Sequence, residues 1–276
     1  MDLKYGLSSN YLRNSTPFDA VKTFKNFGFN AMELGTKHTA YLLKNGNYQE
    51  FKDVISENDF IVPQGHMLTS GDICDPEIID RAKRTLDMFG EIGVKNAVIH
   101  AKGSLDTDEE TRFEKLVCSI KTLSEYLKGT DTVLCLENCM RRLIYNADHL
   151  NAIIDAAGGG DNLGICLDTG HLNFSYVVDG DPYDKQSQRE FILKAGKRLK
   201  ALHINNNDSM DDDHLLPFTT IENGVDFKEV MTTLEEVNYK GLFNFEIPGE
   251  AIGPMEILLY KLPYIKNVAE YMLNKF

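Results

Sequence analysis

Eight short apolar runs alternate with longer amphipathic segments along the chain, and this alternation constrains the fold more than any other feature. The runs are Lys4–Leu7, Ala31–Leu34, Phe60–Gln64, Ala97–His100, Val133–Leu136, Leu163–Leu167, Ala201–Ile204 and Leu242–Phe245. They are rich in Val, Ile, Leu and Phe without clean polar alternation, the composition of strands covered on both faces. Helical periodicity predicts helices over Phe18–Phe27, Tyr48–Asn58, Pro76–Ile92, Asp108–Lys128, Asp148–Ala157, Gln186–Ala195, Phe227–Asn238 and Met255–Phe276. Thr16-Pro17 and Asp75-Pro76 each place a capping side chain before a proline at the first helical position. The segment GTKHTAYLLKNGN after the second run reads as a loop. Eight βα units in 276 residues suit a single (β/α)8 barrel, typically ~250 residues. A doubly wound sheet is the alternative, but GLSSNYLRNS after the first strand lacks its Gly-x-Gly-x-x-Gly turn. No low-complexity stretch divides the chain, so residues 1–276 are expected to form one α/β domain.

The formal charge of −13 argues against nucleic acid or an anionic membrane as partner, since both need clustered Lys and Arg. Lys197-Arg198 and Arg141-Arg142 are isolated basic pairs, and no longer run of Lys and Arg occurs. Five cysteines lack Cys-x-x-Cys spacing, and Cys118, Cys135 and Cys166 sit in apolar runs, as expected of a reducing compartment. The first ten residues have no signal-like apolar run, and no segment approaches the ~18 apolar residues of a membrane span. A cytoplasmic protein is the expectation.

In a barrel of this kind the active site lies at the C-terminal ends of the strands. The third run leads to His66, the fourth to His100, the fifth to Glu137 and Asn138, and the sixth to Asp168 and His171. The seventh leads to His203, with Asp212 and His214 in the loop beyond, and the eighth to Glu246. Of seven histidines only His38 and His149 fall outside this set. A single histidine after a strand is usually an ordinary loop or core residue. Three carboxylates converging on one mouth, with no Lys or Arg at those strand ends, need a counter-charge that a divalent cation supplies. Imidazole and carboxylate ligands suit Zn²⁺, Mn²⁺, Fe²⁺ or Co²⁺ better than Mg²⁺ or Ca²⁺.

The motifs CLENC, CLDTGH, the His203 strand end and FNFEIPGE, in this order, resemble the xylose isomerase-like TIM-barrel superfamily. That superfamily includes sugar-phosphate isomerases and epimerases, inosose isomerases and dehydratases, ketose 3-epimerases and endonuclease IV. The resemblance runs from the first strand to Glu250 and implies a shared metal site at Glu137, Asp168, His203 and Glu246. It implies a catalytic or substrate-holding role for His171, which in endonuclease IV binds metal instead. Endonuclease IV adds histidines after strands three and four and an Asp-x-His pair after strand seven, matched here by His66, His100, Asp212 and His214. Zinc or manganese, at one to three ions per chain, is thus expected. Because the superfamily often forms dimers or tetramers, a homo-oligomer is expected as well.

Two enzymatic readings follow. An isomerase or epimerase of a sugar, sugar phosphate or inositol derivative would remove a proton α to a carbonyl through a metal-stabilised enediolate. Glu137, Glu246 and His171 would be catalytic, with His66, His100, His171, Asn138 and Arg141 contacting substrate. Lys102 and Arg142 are further candidates for a small anion. The chain departs from the free-ketose 3-epimerases at Leu143 and Ser209, where those enzymes carry Glu and Arg. A multinuclear zinc phosphodiesterase resembling endonuclease IV is the alternative, but acidic mouth loops such as NNNDSMDDDH would repel DNA. A non-catalytic sugar-binding barrel is the third reading. After the Asp-x-His pair the run PFTTIENGVDF is longer than in relatives and lacks their first glycine, a change confined to one loop over the mouth that would reshape the pocket or shift how His214 is presented.

Overall fold

The computed structural model describes residues 3–69, 71–104, 106–140, 143–174, 186–219, 222–249 and 253–276. Eight parallel strands form the barrel: β1 (Tyr5–Ser8), β2 (Ala31–Leu34), β3 (Ile61–His66), β4 (Asn96–Ile99), β5 (Val133–Glu137), β6 (Leu163–Asp168), β7 (Leu199–His203) and β8 (Phe243–Phe245). Successive strands pair side by side from β1 to β7, and β1 also pairs with β8. The seam between β7 and β8 is thinner, held by the isolated bridge Ile204↔Phe245. Its bonds run from the Ile204 amide to the Asn244 carbonyl and from the Glu246 amide to the Ile204 carbonyl.

The surrounding helices are α1 (Pro17–Asn26), α2 (Thr36–Asn45), α3 (Tyr48–Glu57), α4 (Pro76–Ile92), α5 (Glu109–Tyr126), α6 (Ala147–Ala156), α7 (Thr169–Asn173), α8 (Gln188–Ala195), α9 (Phe227–Glu236) and α10 (Met255–Lys275). Thr16 and Asp75 cap α1 and α4 through their side chains, as their position before proline predicts. The expected loop after β2 is instead helix α2. His38, Thr39 and Leu42 bury one face of it, and Gly46 ends it at φ 68°. Glycines at both flanks and a single short apolar stripe hide this helix from a periodicity reading. Short α7, immediately after β6, is likewise absent from the sequence expectation.

The side chains that point into the barrel are read off by alternation, since residues two apart share a face. Val98, Cys135, Cys166 and Ala201 make a small apolar layer inside β4 to β7. One step further along the same strands stand His100, Glu137, Asp168 and His203. The larger core, including Leu134, Leu136, Ile165, Leu167 and Leu202, lies between sheet and helices. Small residues thus fill the barrel's floor and polar residues its C-terminal mouth. Cys135 and Cys166 act there as hydrophobes, and every cysteine is a free thiol. Among the described residues no helix is long and apolar enough to cross a membrane.

Candidate metal centre

Strand ends bring Glu137, Asp168, His203 and Glu246 together so that one ligand atom from each lies within 4.8 Å of all the others. His203 Nδ1 is 3.1 Å from Glu137 Oε1, 2.9 Å from Glu246 Oε2 and 4.0 Å from Asp168 Oδ2. A second group, His66, His100 and Glu137, meets the same closeness, as does a third, Asp168, His171 and His214. Asp212 joins the third, with Oδ1 3.6 Å from His171 Nε2 and 3.3 Å from His214 Nε2. Glu137 is common to the first two groups, and Asp168 to the first and third. All nine strand-end and loop residues anticipated as metal ligands therefore converge on one mouth. His38 and His149 do not: His38 Nε2 faces the Ser15 carbonyl at 3.0 Å, and His149, in α6, packs on Tyr145 just before that helix.

Four of the five histidines have one ring nitrogen engaged by an outer partner, leaving the other for the cavity. His66 Nδ1 donates to the Met67 carbonyl (3.1 Å), His171 Nδ1 to the Asn138 carbonyl (2.8 Å) and His214 Nδ1 to the Glu246 carbonyl (3.0 Å). His203 is turned the other way, with Nε2 donating to Glu33 Oε2 at 2.6 Å. Such outer bonds fix tautomer and ring orientation in histidines that bind metal. Glu33, at the end of β2, is fully buried and also accepts from Gln64 Nε2 (2.5 Å) and Asn244 Nδ2 (3.4 Å). It was not anticipated. The signal lay in the motif AMEL, an acid on the inward face of a strand, where strands five to eight also present polar residues.

The donor set fits a divalent ion. Glu137 is completely buried, and its Oε2 accepts no hydrogen bond even though His100 Nε2 stands 2.8 Å away. The Nε2 atoms of His66 and His100 are 3.3 Å apart. Two nitrogens bound to one tetrahedral ion at ~2.0–2.1 Å would stand about 3.3 Å apart. Every ion-pair partner of Glu137, Asp168 and Glu246 among the described residues is a histidine.

Protonation follows from this crowding. Burial opposes charge on His100, but Cys139 and Glu137 outweigh it and push its pKa up to about 10. His214 rises to about 9, where Asp212 overcomes burial; against burial, His203 is also raised by Cys166 and its carboxylates, and His171 by Asp168 and Asp212. Burial would raise Glu246, yet His203 and His214 hold it down at about 2. Burial lifts the Asp168 carboxyl against the pull of His171 and His214. Without an ion, protonated His100, His171, His203 and His214 would balance the carboxylates.

Two connected clefts open above these groups. The smaller, about 320 Å³, is lined by His100, Lys102, Cys139, His171, Asp212, His214 and Glu246. The larger, about 650 Å³, shares His100, Lys102 and Glu246 and adds His66, Asn10, Thr36 and Arg81. Glu137 lines neither. Asn138 is fully buried, its carboxamide spent on the backbone of Asp168, donating to the carbonyl at 3.0 Å and accepting from the amide at 2.7 Å. It braces the end of β6 at Asp168 and lines neither cleft. Arg141 and Arg142 lie outside the described residues.

The chain resembles an uncharacterised protein, y4fM, of Sinorhizobium fredii, at 26% identity over 62% of this chain and 52% of that one. It is 30% identical over 47% of its length to 42% of a probable endonuclease 4 of Ureaplasma urealyticum. The chain thus spans about half the length of these curated relatives. Its fold matches the crystal structure of a D-psicose 3-epimerase from Clostridium cellulolyticum H10, with a TM-score of 0.74, 16% identity and coverage of 98% and 99% of the two chains. Residues 21–268 match the xylose isomerase-like TIM barrel model, and the chain belongs to that family.

Proposed function

We propose that this protein is a divalent-metal-dependent isomerase or epimerase acting on a sugar, sugar phosphate or inositol derivative. The observation that carries the reading is the Glu137, Asp168, His203 and Glu246 group beneath small clefts, with Glu246 both in the group and on the cleft wall. When bound, a divalent ion would polarise the substrate carbonyl and stabilise the enediolate. Glu137, Asp168, His203 and Glu246 would hold it, with Glu33 orienting His203.

Glu246 is the carboxylate placed to take the proton α to the carbonyl. It is held ionised by His203 and His214 and is partly open to the cleft. Glu137 is fully buried and serves as a ligand in this scheme, not as the second acid–base group. His171 and Asp212 also line the smaller cleft, where Asp212 can hold or return a proton at the substrate oxygens. Lys102 lines both clefts, and its amine has no hydrogen bond or ion pair among the described residues. It is the cation best placed for a substrate phosphate.

A second reading is supported by the additional groups His66, His100, Glu137 and His171, Asp212, His214, together with the similarity to a probable endonuclease 4. In that reading the chain is a multinuclear phosphodiesterase. The net charge of −13 and the exposed Asp211, Asp212 and Asp213 beside the mouth weigh against a DNA substrate. Incubation in D₂O with a panel of ketoses, their phosphates and inososes separates the two. Deuterium incorporation at the carbon α to the carbonyl, abolished by Glu246→Gln, is expected. Cleavage of an abasic-site duplex without exchange into any of these substrates would defeat the isomerase reading.

A further inference from the structure

The inward face of β5 does not stop at its last residue. Val133, Cys135 and Glu137 alternate toward the mouth, and Cys139 continues the series two residues on. Its backbone is tied by a hydrogen bond from its amide to the Ile144 carbonyl (2.9 Å). Cys139 differs from the two cysteines deeper in the barrel. Cys135 and Cys166 lie in or against the apolar floor, whereas Cys139 lines the smaller cleft beside His100 and His171. Cys139, Glu137 and His171 each offer a ligand atom within 4.8 Å of the others. Glu137, which this group shares with its neighbours, carries a buried Oε2 that accepts no hydrogen bond and stands 2.8 Å from His100 Nε2.

We propose that Cys139 is a thiolate ligand of the metal centre, giving it a mixed nitrogen, oxygen and sulfur position shared with Glu137 and His171. This rests on the metal-dependent reading above. The carboxylate and imidazole set implied by the family resemblance contains no sulfur. Ligation breaks the Cys139 S–H bond, the sulfur lone pair forms the metal–sulfur bond, and the proton passes to solvent. No oxidant is involved. A thiolate donor favours zinc or cobalt over manganese or magnesium, whose preferred ligands are carboxylate, carbonyl and water. It therefore narrows the metal as well as the ligand set.

The test is cobalt(II) loading of the metal-stripped 276-residue chain, followed by absorption. Visible d–d bands report cobalt in the site. A near-ultraviolet thiolate-to-cobalt charge-transfer band reports sulfur ligation. The expected result is both bands in the wild type, and loss of the near-ultraviolet band alone in Cys139→Ser. Visible bands without the near-ultraviolet band, or a near-ultraviolet band that survives Cys139→Ser, would overturn the proposal and leave the metal reading standing. No cobalt absorption in the wild type would overturn both. Where serine is not accommodated, Cys139→Ala in a zinc–manganese competition serves instead. A shift of selectivity toward manganese is expected, and an unchanged ratio refutes thiolate ligation.

Discussion

His203 donates from Nε2 to the buried carboxylate of Glu33 at 2.6 Å, while its Nδ1 faces Glu137 and Glu246. The imidazole is thereby locked with Nδ1 toward the centre. Glu33→Gln should weaken metal binding about 10- to 100-fold, the usual cost of losing an outer-shell partner. Zinc or cobalt affinity by calorimetry would check it. An unchanged affinity would leave Glu33 a purely structural acid.

Glu137 and Glu246 should separate by phenotype. Glu137 is shared by two ligand groups and lines neither cleft, so Glu137→Gln should lower the number of ions retained per chain, measured by elemental analysis. Glu246→Gln should lose turnover on every accepted substrate, since it removes the carboxylate on the cleft wall. Retention of both metal and turnover in Glu246→Gln would refute the site.

Metal affinity and metal-free stability should respond to pH in opposite directions. His100 and His214 have pKa values raised to about 10 and about 9, so both carry protons at neutral pH without metal. An ion must displace those protons. Apparent affinity should therefore rise from neutral pH by about tenfold per pH unit for each proton displaced, and level off above pH 9 to 10. In the metal-free protein the raised values are a stabilising contribution, fully present below about pH 6.5. It is lost as the pH climbs through 9 and 10. Thermal melts across pH with and without chelator would show the two trends, and parallel trends would contradict these assignments.

Chelation should lower the melting temperature at neutral pH. Ligand linkage gives about 2.7 kcal/mol at a free ion concentration of about 100 times Kd, or on the order of 5 °C for a chain of this size. A melt insensitive to chelator and to added zinc would argue that no ion binds the folded state.

Gly170 stands where a Cβ would overlap the Asn205 carboxamide, and that carboxamide donates to Asp168 Oδ2 at 2.8 Å. Gly170→Ala should cost about 1–3 kcal/mol through overpacking, and should also loosen metal binding by displacing the group that holds Asp168. Denaturant titration and metal affinity on the same variant would show both effects. An alanine variant as stable and as tight as the parent would sink the argument.

The barrel was legible because its strands are short apolar runs and its longer helices carry proline caps, as at Thr16-Pro17 and Asp75-Pro76. The convergence of His66, His100, Glu137, Asp168, His171, His203, Asp212, His214 and Glu246 was legible too, because ligands at strand ends inherit their neighbourhood from the topology. Glu33 and Cys139 were not singled out. Each is an ordinary residue in its local motif and gains meaning only from partners across the barrel, His203 in one case, His100 and His171 in the other. Asn138 shows the converse. Its place beside Glu137 suggested substrate, but its side chain faces β6. Helix α2 was missed because glycine at both ends resembles loop punctuation, whereas Gly46 is its C-cap.

The single bridge between β7 and β8 makes that seam the weakest closure of the cylinder. His203 sits just before Ile204 and Glu246 just after Phe245, so two of the proposed ligands straddle the gap. An ion held by both would act as a clasp, turning an open-edged curl of sheet into a closed ring. Amide exchange at Ile204 and Glu246 should then slow on loading while exchange across the better-paired β5 and β6 stays unchanged. The same atoms that would do chemistry would also decide how long the cylinder stays shut.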